Sequence, residues 1–496
     1  MQNKIYIVSR YLIWFFFVAI LSCKEAKEVK KDIAVSKPNV LLLYMDDLRP
    51  ELGCYGKTQI MSPNIDALAS NSLLFNNAYC NVPVCGASRA SMLTGMYPTK
   101  NRFLNYNTFV KQETPNAITL PQLFKNNGYT TISNGKVYHH LDDRETDWDE
   151  VWRPYAFEAN DQGLSPTDYW QSLWRDYQLP ENIKLYKETG TGPAYEMADV
   201  NDSTYIDGLM TQKVIRDLKK LKKSNKPFFL TAGFITNHLP FNAPKKYWDL
   251  YPHESIKQPY NNFVPKNAPA MSVCNSPELR QYLFIPEKGQ VSDSVAKQLI
   301  HGYYATVSYV DALIGEIMGT LKTLDLDKNT IVILVADHGY NLQEHTEWAK
   351  FTNHNTSAKI PLLIKFPKKT KPTSTNALVE LVDMYPTLAE LCGLELPENQ
   401  LDGNSLVPII KNPSLKGKDG VLIKRLNGYT LKTHRFAYTE YLNNKDNTML
   451  ANMLFDHSKD PDENINVAED PKYKEQVEEL SQLLHTKFEK NINPKN

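Results

Sequence analysis

Two apolar stretches of strand length each end in residues of metal-ligating type. Asn39-Val40-Leu41-Leu42-Leu43-Tyr44-Met45 runs into Asp46-Asp47, and Ile331-Val332-Ile333-Leu334-Val335-Ala336 runs into Asp337-His338-Gly339. Continuous apolar runs of this length read as strands buried on both faces of a parallel sheet. In open α/β sheets, ligands bind beyond the carboxyl ends of the strands. Adjacent carboxylates repel unless a cation lies between them. Asp46-Asp47 alone reads better as a solvated turn, and Asp337-His338-Gly339 has a plain turn with a surface histidine as its alternative; the pair of strand ends predicts one metal site. Its oxygen-rich donors favour Ca²⁺ or Mg²⁺, and the single histidine keeps Zn²⁺ or Mn²⁺ open.

A second group of residues supplies a nucleophile and positive charge. Cys85-Gly86-Ala87-Ser88-Arg89, followed by Leu93-Thr94-Gly95, sets a cysteine, a small residue and an arginine at fixed offsets where a helix is expected, starting near Ser88. Gly135-Lys136-Val137-Tyr138-His139 follows the short strand Thr130-Thr131-Ile132-Ser133. Asn237-His238-Leu239-Pro240-Phe241 follows the strand Pro227-Phe228-Phe229-Leu230-Thr231-Ala232, and Trp348-Ala349-Lys350 comes soon after Asp337-His338. Each lysine alone is a solvated charge and each histidine a satisfied residue. Their shared place just beyond strands is where an α/β enzyme puts its chemistry.

The pentapeptide resembles the C-x-[P/A]-x-R signature of type I sulfatases, and the ordered set resembles the iduronate-2-sulfatase-like branch of that family. Asp46-Asp47-Leu48-Arg49-Pro50, Leu52-Gly53-Cys54-Tyr55-Gly56, Ser62-Pro63-Asn64-Ile65-Asp66, Glu347-Trp348-Ala349-Lys350, Leu381 to Leu388 and Leu454-Phe455-Asp456-His457 through Asn464 carry the branch-level likeness. The resemblance implies that Cys85 is converted to formylglycine by a separate maturation enzyme. It implies Asp46, Asp47, Asp337 and His338 as ligands of one Ca²⁺, with residue 85 beside the ion. It assigns Arg89 to steadying the formylglycine hydrate and Lys136 and His139 to contacting it. His238 and Lys350 are implied to meet the sulfate oxygens and the leaving group. His140, next to His139, is the runner-up for its role.

Hydrolysis of a sulfate monoester moves charge onto the bridging oxygen, so it needs cations on the non-bridging oxygens and a proton for the departing alkoxide. Lys136, Lys350, Arg89 and the metal would supply the field, His238 the proton. A hydrated aldehyde offers one hydroxyl to attack sulfur and a second whose deprotonation, with His139 as base, expels sulfate, which splits one hard step into two. The helix N-terminus would add partial positive charge.

Lysine plus arginine and aspartate plus glutamate are equal at 56 each, so no global basic field exists to favour nucleic acid. Residues 1–22 read as a secretory signal: Lys4 and Arg10, then an apolar stretch from Tyr11 to Leu21, below the ~20 residues of a membrane span. Ile20-Leu21-Ser22-Cys23 resembles a bacterial lipobox. It predicts a lipid anchor on Cys23, with a plainly cleaved signal as the alternative, and residues 23–37 as a charged tether. Export to the periplasm or cell surface permits disulfides, but Cys54, Cys80, Cys274 and Cys392 show no C-x-x-C spacing and are expected as isolated thiols.

The 496 residues suffice for one large α/β domain plus an appendage. The expected fold is a large, mainly parallel sheet sandwiched by helices, alkaline-phosphatase/sulfatase-like, over 38–410, with a smaller antiparallel-sheet-plus-helix subdomain over 411–496. Tyr303, Val307, Val310, Ile314, Ile317 and Leu321 recur at helical spacing within a long helix from about Ser294 to Leu324. Asp383 to Cys392 predicts another helix, ended by Gly393. Trp148–Asp202 and Tyr251–Val291 lack periodicity and read as long excursions at the pocket mouth whose aromatics suit sugar rings. In the C-terminal part, strands are expected at Val421–Arg425, Phe436–Tyr441 and Asn452–Phe455, then a helix with Val477, Leu480, Leu484 and Phe488 on one face.

The reading is thus an exported sulfatase acting on a sulfated oligo- or polysaccharide, glycosaminoglycan-like or algal such as ulvan. A phosphomonoester or phosphodiester hydrolase of the same superfamily is one alternative. A non-catalytic sulfoglycan-binding lipoprotein, should Cys85 stay unconverted, is the other.

Overall fold

The computed structural model describes residues 37–153, 176–224, 226–367 and 372–492. The leader, Cys23, the tether up to Ser36 and the middle of the first expected excursion lie outside them.

Among the described residues seventeen strands follow in chain order. Nine form the main sheet: β1 (Asn39–Met45), β2 (Leu73–Tyr79), β3 (Thr130–Gly135), β4 (Glu150–Trp152), β6 (Phe228–Gly233), β8 (Thr330–Ala336), β11 (Lys359–Ile360), β12 (Leu362–Lys365) and β13 (Thr373–Glu380). Two short pairs, β5 (Tyr195–Glu196) with β7 (Phe241–Asn242) and β9 (Asn341–Leu342) with β10 (Trp348–Ala349), lie in the connections. The four-stranded sheet of β14 (Val421–Arg425), β15 (Gly428–Lys432), β16 (Phe436–Leu442) and β17 (Met449–Asp456) is separate.

The main sheet runs in the order β11-β2-β12-β8-β1-β6-β3-β4, with β13 parallel to β2. The strands β8, β1, β6, β3 and β4 are mutually parallel, and only β11 and β12 run against their neighbours. Every residue of β1 and β8 is buried, as strands covered on both faces require. A truncation such as Leu42→Ala there costs about 2–5 kcal/mol. The registers Met45↔Ala336 and Tyr44↔Gly233 bring the ends of β8, β1 and β6 to one level. The residues that follow them therefore share one edge of the sheet.

The long helix spans Asp293–Thr323, and the Ser292 side chain caps it by accepting from the Val295 amide. Its stripe of Tyr303, Val307, Val310, Ile314, Ile317 and Leu321 is buried, and it packs on the helices Ile206–Leu221 and Pro63–Ala69. Leu381–Asp383 is a single 3₁₀ turn leading into the helix Met384–Leu391, and Gly393 follows with a positive φ of 62°.

Two expectations need correction. Glu150–Trp152 is not excursion but the edge strand β4, paired with β3, and Pro180–Thr189 is a helix. The C-terminal sheet has four strands, not three. The missed β15 follows the two-residue turn Leu426-Asn427, whose Asn427-Gly428 signal was there to be read. The helix Lys474–Ile492 covers this sheet, with Leu480, Leu484 and Phe488 buried and Val477 partly so. Tyr97 and Val382 of the larger part complete that apolar cluster. Cys54, Cys80, Cys85, Cys274 and Cys392 are all free thiols. No helix among the described residues is long and apolar enough to cross a membrane.

Candidate active site

The strand-end residues converge. Asp47 turns the chain after β1 with a left-handed φ of 56°, a conformation aspartate tolerates, and the Tyr303 hydroxyl holds it by donating to its carbonyl at 2.8 Å. The Asp337 carboxylate receives the amide of His338 at 2.9 Å. The helix after β2 spans Cys85–Thr94, so it begins at Cys85 and not near Ser88, which places the thiol in the first turn. Ser88 Oγ donates to the Asp337 carbonyl at 2.5 Å and fixes that turn against β8.

Cys85 Sγ lies 3.3 Å from His338 Nε2. One ligand-type atom from each of Asp46, Cys85, Asp337 and His338 falls within 4.8 Å of the others, all of them buried. His338 Nδ1 donates to the Gly339 carbonyl at 2.9 Å, which leaves the Nε2 lone pair facing the cluster; the outer hydrogen bond of a metal-binding histidine fixes its tautomer this way. Asp46 Oδ1 and Asp47 Oδ1 are buried and accept no hydrogen bond. Buried carboxylate oxygens without donors are costly, and the donor set of carboxylates with one imidazole suits a hard divalent cation. The residues fit a metal.

The expected basic residues gather here as well. Lys136 Nζ reaches Asp46 Oδ2 at 2.5 Å. Arg89, fully buried, pairs through Nε with Asp337 Oδ2 at 2.8 Å and through Nη2 with Asp46 Oδ1 at 3.5 Å, donates through Nη1 to the Lys136 carbonyl, and lies 4.4 Å from the Tyr44 ring centre. Lys136 itself is set by a close crossing of β3 and β6: its amide donates to the Gly233 carbonyl at 2.9 Å, and a Cβ on Gly233 would stand 2.1 Å from the Lys136 carbonyl oxygen. Lys350 Nζ lies 3.1 Å from Asp47 Oδ2. His139 is buried with its ring tilted on Tyr106, whereas His140 stacks on Phe109 at 3.8 Å, a packing role.

One residue was missed. Glu278, in the second excursion, puts Oε2 2.6 Å from Lys350 Nζ and Oε1 3.0 Å from His238 Nε2. His238 Nδ1 donates to the Leu239 carbonyl at 2.5 Å, so this imidazole has acceptors on both sides. Asp47, His238 and Glu278 form a second tight group of ligand-type atoms, but the Lys350 ammonium already sits between the two carboxylates. Nothing in the motif spacing singles out Glu278, because a long loop delivers it.

Burial pushes titration in both directions here. It would raise Asp46, but Lys136 and Arg89 outweigh it and hold that carboxyl well below the usual range. Burial wins at Asp47 and raises it, against Lys350 and His338. The Cys85 thiol is pushed up to about 12, by burial first and then by Asp46. Burial, followed by Lys136, drives His139 well below the usual histidine value. It also lowers His238, against the pull of Glu278.

The cavity over this group measures about 460 Å³ and is lined by Cys85, Tyr106, His238, Glu278, Lys350 and Arg425, among others. A larger cavity of about 700 Å³ near Arg49 and Asp462 is lined by none of Cys85, His238, Glu278 and Lys350, so chemistry, not size, marks the site. Of the expected aromatic platforms in the excursions, Trp148, Tyr177 and Tyr251 are buried packing residues, while Tyr260 and Phe284 are exposed.

Comparison with known proteins agrees with this arrangement. The family model described as Sulfatase matches residues 38–394, and the one described as N-sulphoglucosamine sulphohydrolase, C-terminal, matches 343–490. Iduronate 2-sulfatase of Homo sapiens is 33% identical over 78% of this chain and 75% of its own length. An ulvan-active sulfatase of Formosa agariphila is 27% identical over 95% of this chain and 84% of its own. A phosphonate monoester hydrolase from Silicibacter pomeroyi shares the fold, with a TM-score of 0.74 at 20% identity over 92% of this chain and 96% of that one. That last likeness shows only that the scaffold serves more than one chemistry, whereas the family match spans the strand-end acids, Cys85, Arg89, Lys136, His139, His238 and Lys350. The chain is a sulfuric ester hydrolase and belongs to the sulfatase family.

Proposed function

We propose that the chain hydrolyses sulfate esters of a sulfated carbohydrate, with residue 85 as formylglycine and one Ca²⁺ held by Asp46, Asp47, Asp337 and His338 beside it. The observation that carries this reading is Cys85 in the first turn of its helix, 3.3 Å from His338 Nε2, in a cavity shared with His238 and Lys350. Formylglycine supplies a hydrated aldehyde as nucleophile, and Ca²⁺ supplies positive charge against the sulfate oxygens.

The chain's own residues do the rest. Lys136 and Arg89 hold the Asp46 and Asp337 carboxylates in place and add positive field from the floor of the site. Lys350 meets the non-bridging oxygens of the ester. His238, which faces the Glu278 carboxylate through Nε2, gives its proton to the departing sugar oxygen. His139, kept neutral by burial, is the base that takes the proton of the second hydroxyl as sulfate leaves.

The substrate class follows from the relatives' chemistry and the pocket. An iduronate 2-sulfatase and an ulvan-active sulfatase among the relatives support a sulfated uronic acid or sulfated rhamnose in a polysaccharide, glycosaminoglycan or algal. A cavity of about 460 Å³ is of the size that encloses a small-molecule ligand. Residues 38–410 would form the catalytic domain and 411–496 the C-terminal subdomain. Residues 1–22 would direct export, and Cys23 with the tether to residue 37 would anchor the enzyme to a membrane.

The decisive experiment is a desulfation screen of the matured enzyme against defined sulfated oligosaccharides, with phosphate and phosphonate esters alongside. Sulfate release from a sulfated sugar is the expected outcome. Phosphate or phosphonate release with no sulfate release would favour the phosphoryl-transfer reading. The absence of all turnover despite full maturation would favour a sulfoglycan-binding protein.

A further inference from the structure

Arg425 is the one lining residue of the Cys85 cavity that comes from the C-terminal sheet. It ends β14, where the chain turns through Leu426 and Asn427 and pairs back at Gly428. The hairpin is pinned to the catalytic part at several points. The Lys424 amide donates to the Asn81 carbonyl at 2.8 Å, and Asn353 Nδ2, three residues beyond Lys350, donates to Thr430 Oγ1 at 3.0 Å and to the Gly428 carbonyl at 3.4 Å. A Cβ on Gly428 would stand 2.8 Å from Asn353 Oδ1, so the turn sits close against that loop. The place of Arg425 at the cavity wall is built.

Its charge is not compensated. Nε and Nη1 are buried and donate to nothing among the described residues, and no carboxylate there pairs with the guanidinium. The nearby acids are committed elsewhere. Glu278 is held by Lys350 and His238, and Glu347 by the Cys274 amide and thiol and by Ser276 Oγ. The guanidinium instead lies 5.3 Å from the ring centre of Phe351, the residue after Lys350. Burial pulls its pKa down to about 10, which still leaves it charged at neutral pH. A half-buried cation without a counter-charge is unfavourable unless a ligand brings one. A guanidinium stacked on an aromatic ring is a planar fork suited to carboxylate or sulfate oxygens.

We infer that Arg425 is a specificity residue that receives a second oxyanion of the substrate, a uronate carboxylate or a further sulfate, while Lys350 and His238 receive the ester being cleaved. The inference rests on the sulfatase reading of the Cys85 cavity. It makes the C-terminal subdomain part of substrate recognition and the preferred substrate a sugar unit bearing more than one negative charge.

The test compares matured wild type, R425A and R425K on four sulfate esters. These are p-nitrophenyl sulfate, a 2-O-sulfated hexuronide, the same sugar after carboxyl reduction, and a disulfated neutral hexose. For R425A, kcat/KM is expected to fall about 10- to 100-fold on the sugars with a second anion and to stay within about twofold on p-nitrophenyl sulfate and the reduced sugar. R425K should fall between wild type and R425A. A loss on the uronide alone names the carboxylate as the partner, and a loss on the disulfate alone names a second sulfate. Equal losses on all four esters, or no loss on either dianionic sugar, would overturn the inference while leaving the enzyme a sulfatase. Matured wild type that turns over none of the four esters would overturn the sulfatase reading and this inference with it.

Discussion

Glu278 faces Lys350 at 2.6 Å, and Asp47 holds the same ammonium at 3.1 Å. A loop of the second excursion thus reaches a cation positioned by the end of β1, and the same carboxylate touches His238. In the proposed mechanism Glu278 would keep Lys350 and His238 in register with the cleaved ester and supply the acceptor against which His238 carries its proton. The variant Glu278→Gln keeps the size and one acceptor oxygen and removes the charge. Its kcat on an aryl sulfate should fall on the order of tenfold or more, with KM unchanged or lower, because a negative charge leaves an anion site. Steady-state kinetics decide it: a raised KM with unchanged kcat would assign Glu278 to ground-state binding instead.

Metal removal should weaken the fold as well as abolish activity. Asp46, Asp47 and Asp337 are wholly buried in one group, and a ligand bound only by the folded state stabilises it by about 2.7 kcal/mol at a hundredfold excess over Kd. Chelation should therefore lower Tm by several degrees, and added Ca²⁺ should restore it. Asp47→Asn is a direct probe, because Lys350, which pairs with Asp47, keeps Glu278 as a counter-charge in the variant. It should weaken Ca²⁺ about tenfold or more by calorimetry, since affinity follows ligand charge. Asp337 also holds Arg89, so its loss strands a buried guanidinium at a cost of about 3–5 kcal/mol. A second tightly bound metal per chain would contradict the single-site arrangement, in which the Lys350 ammonium fills the neighbouring acidic group.

What could be read in the sequence was local. β1 and β8 announce themselves because an apolar run buried on both faces cannot continue through two acids, so the run and its end are visible together. Lys136, His238 and Lys350 were legible for the same reason, each standing just past a strand. The start of the helix at Cys85 was misplaced toward Ser88, since no side chain caps its first turn; Val84, at the cap position, has no side-chain acceptor. Glu278 and Arg425 were illegible as site residues. One arrives on a loop without periodicity, the other on a hairpin some 340 residues from Cys85 in sequence, at a distance fixed only by packing of the C-terminal sheet. Adjacent His139 and His140 differ only in three dimensions, where His140 stacks on Phe109 and His139 is tilted on Tyr106.

Acid should loosen the join between the subdomain and the catalytic part. Glu463 is buried and accepts from His457 Nε2 at 2.8 Å, His354 Nδ1 at 3.1 Å and the Asn355 amide at 2.8 Å. Burial alone would raise its pKa, but the two histidines outweigh it and hold the carboxyl well below the usual range. A carboxyl depressed in the folded state adds stability that is fully present above its unfolded pKa of about 4.3 and is lost as pH falls through the lower folded value. Wild type should exceed Glu463→Gln in stability by about 1–3 kcal/mol at pH 7, and the gap should begin to narrow below about pH 4. Urea melts of both proteins from pH 3 to 7 measure it; a gap constant across that range would remove Glu463 as the acid-sensitive group.

The lipid anchor is separable from catalysis. If Cys23 carries the lipid, the protein made in a lipoprotein-processing bacterium should partition with membranes. Cys23→Ala should then shift it to the soluble fraction, or leave it unprocessed, with unchanged kcat once purified. A wild-type protein recovered only in the soluble fraction would refute the anchor and leave Cys85 untouched.

Residue 85 carries the sharpest prediction. Its side chain is buried beside His338, Asp46 and Asp337 in a helix first turn, and a sulfated thiol there would be hard to discharge. Serine in its place keeps one hydroxyl, which suffices to take a sulfuryl group from the ester but leaves nothing to expel it. Cys85→Ser should therefore fold, bind Ca²⁺ and release at most about one equivalent of alcohol per chain before it stalls, whereas Cys85→Ala should release none. Active wild type should show, in peptides spanning residue 85, the mass loss of the cysteine-to-formylglycine change, and specific activity should scale with the converted fraction across preparations made with and without a maturation enzyme. Full turnover by protein holding only unmodified Cys85 would sink the mechanism. Sustained turnover by the serine variant would show that the second hydroxyl is dispensable, and would move the chemistry toward the ester hydrolases that share this scaffold.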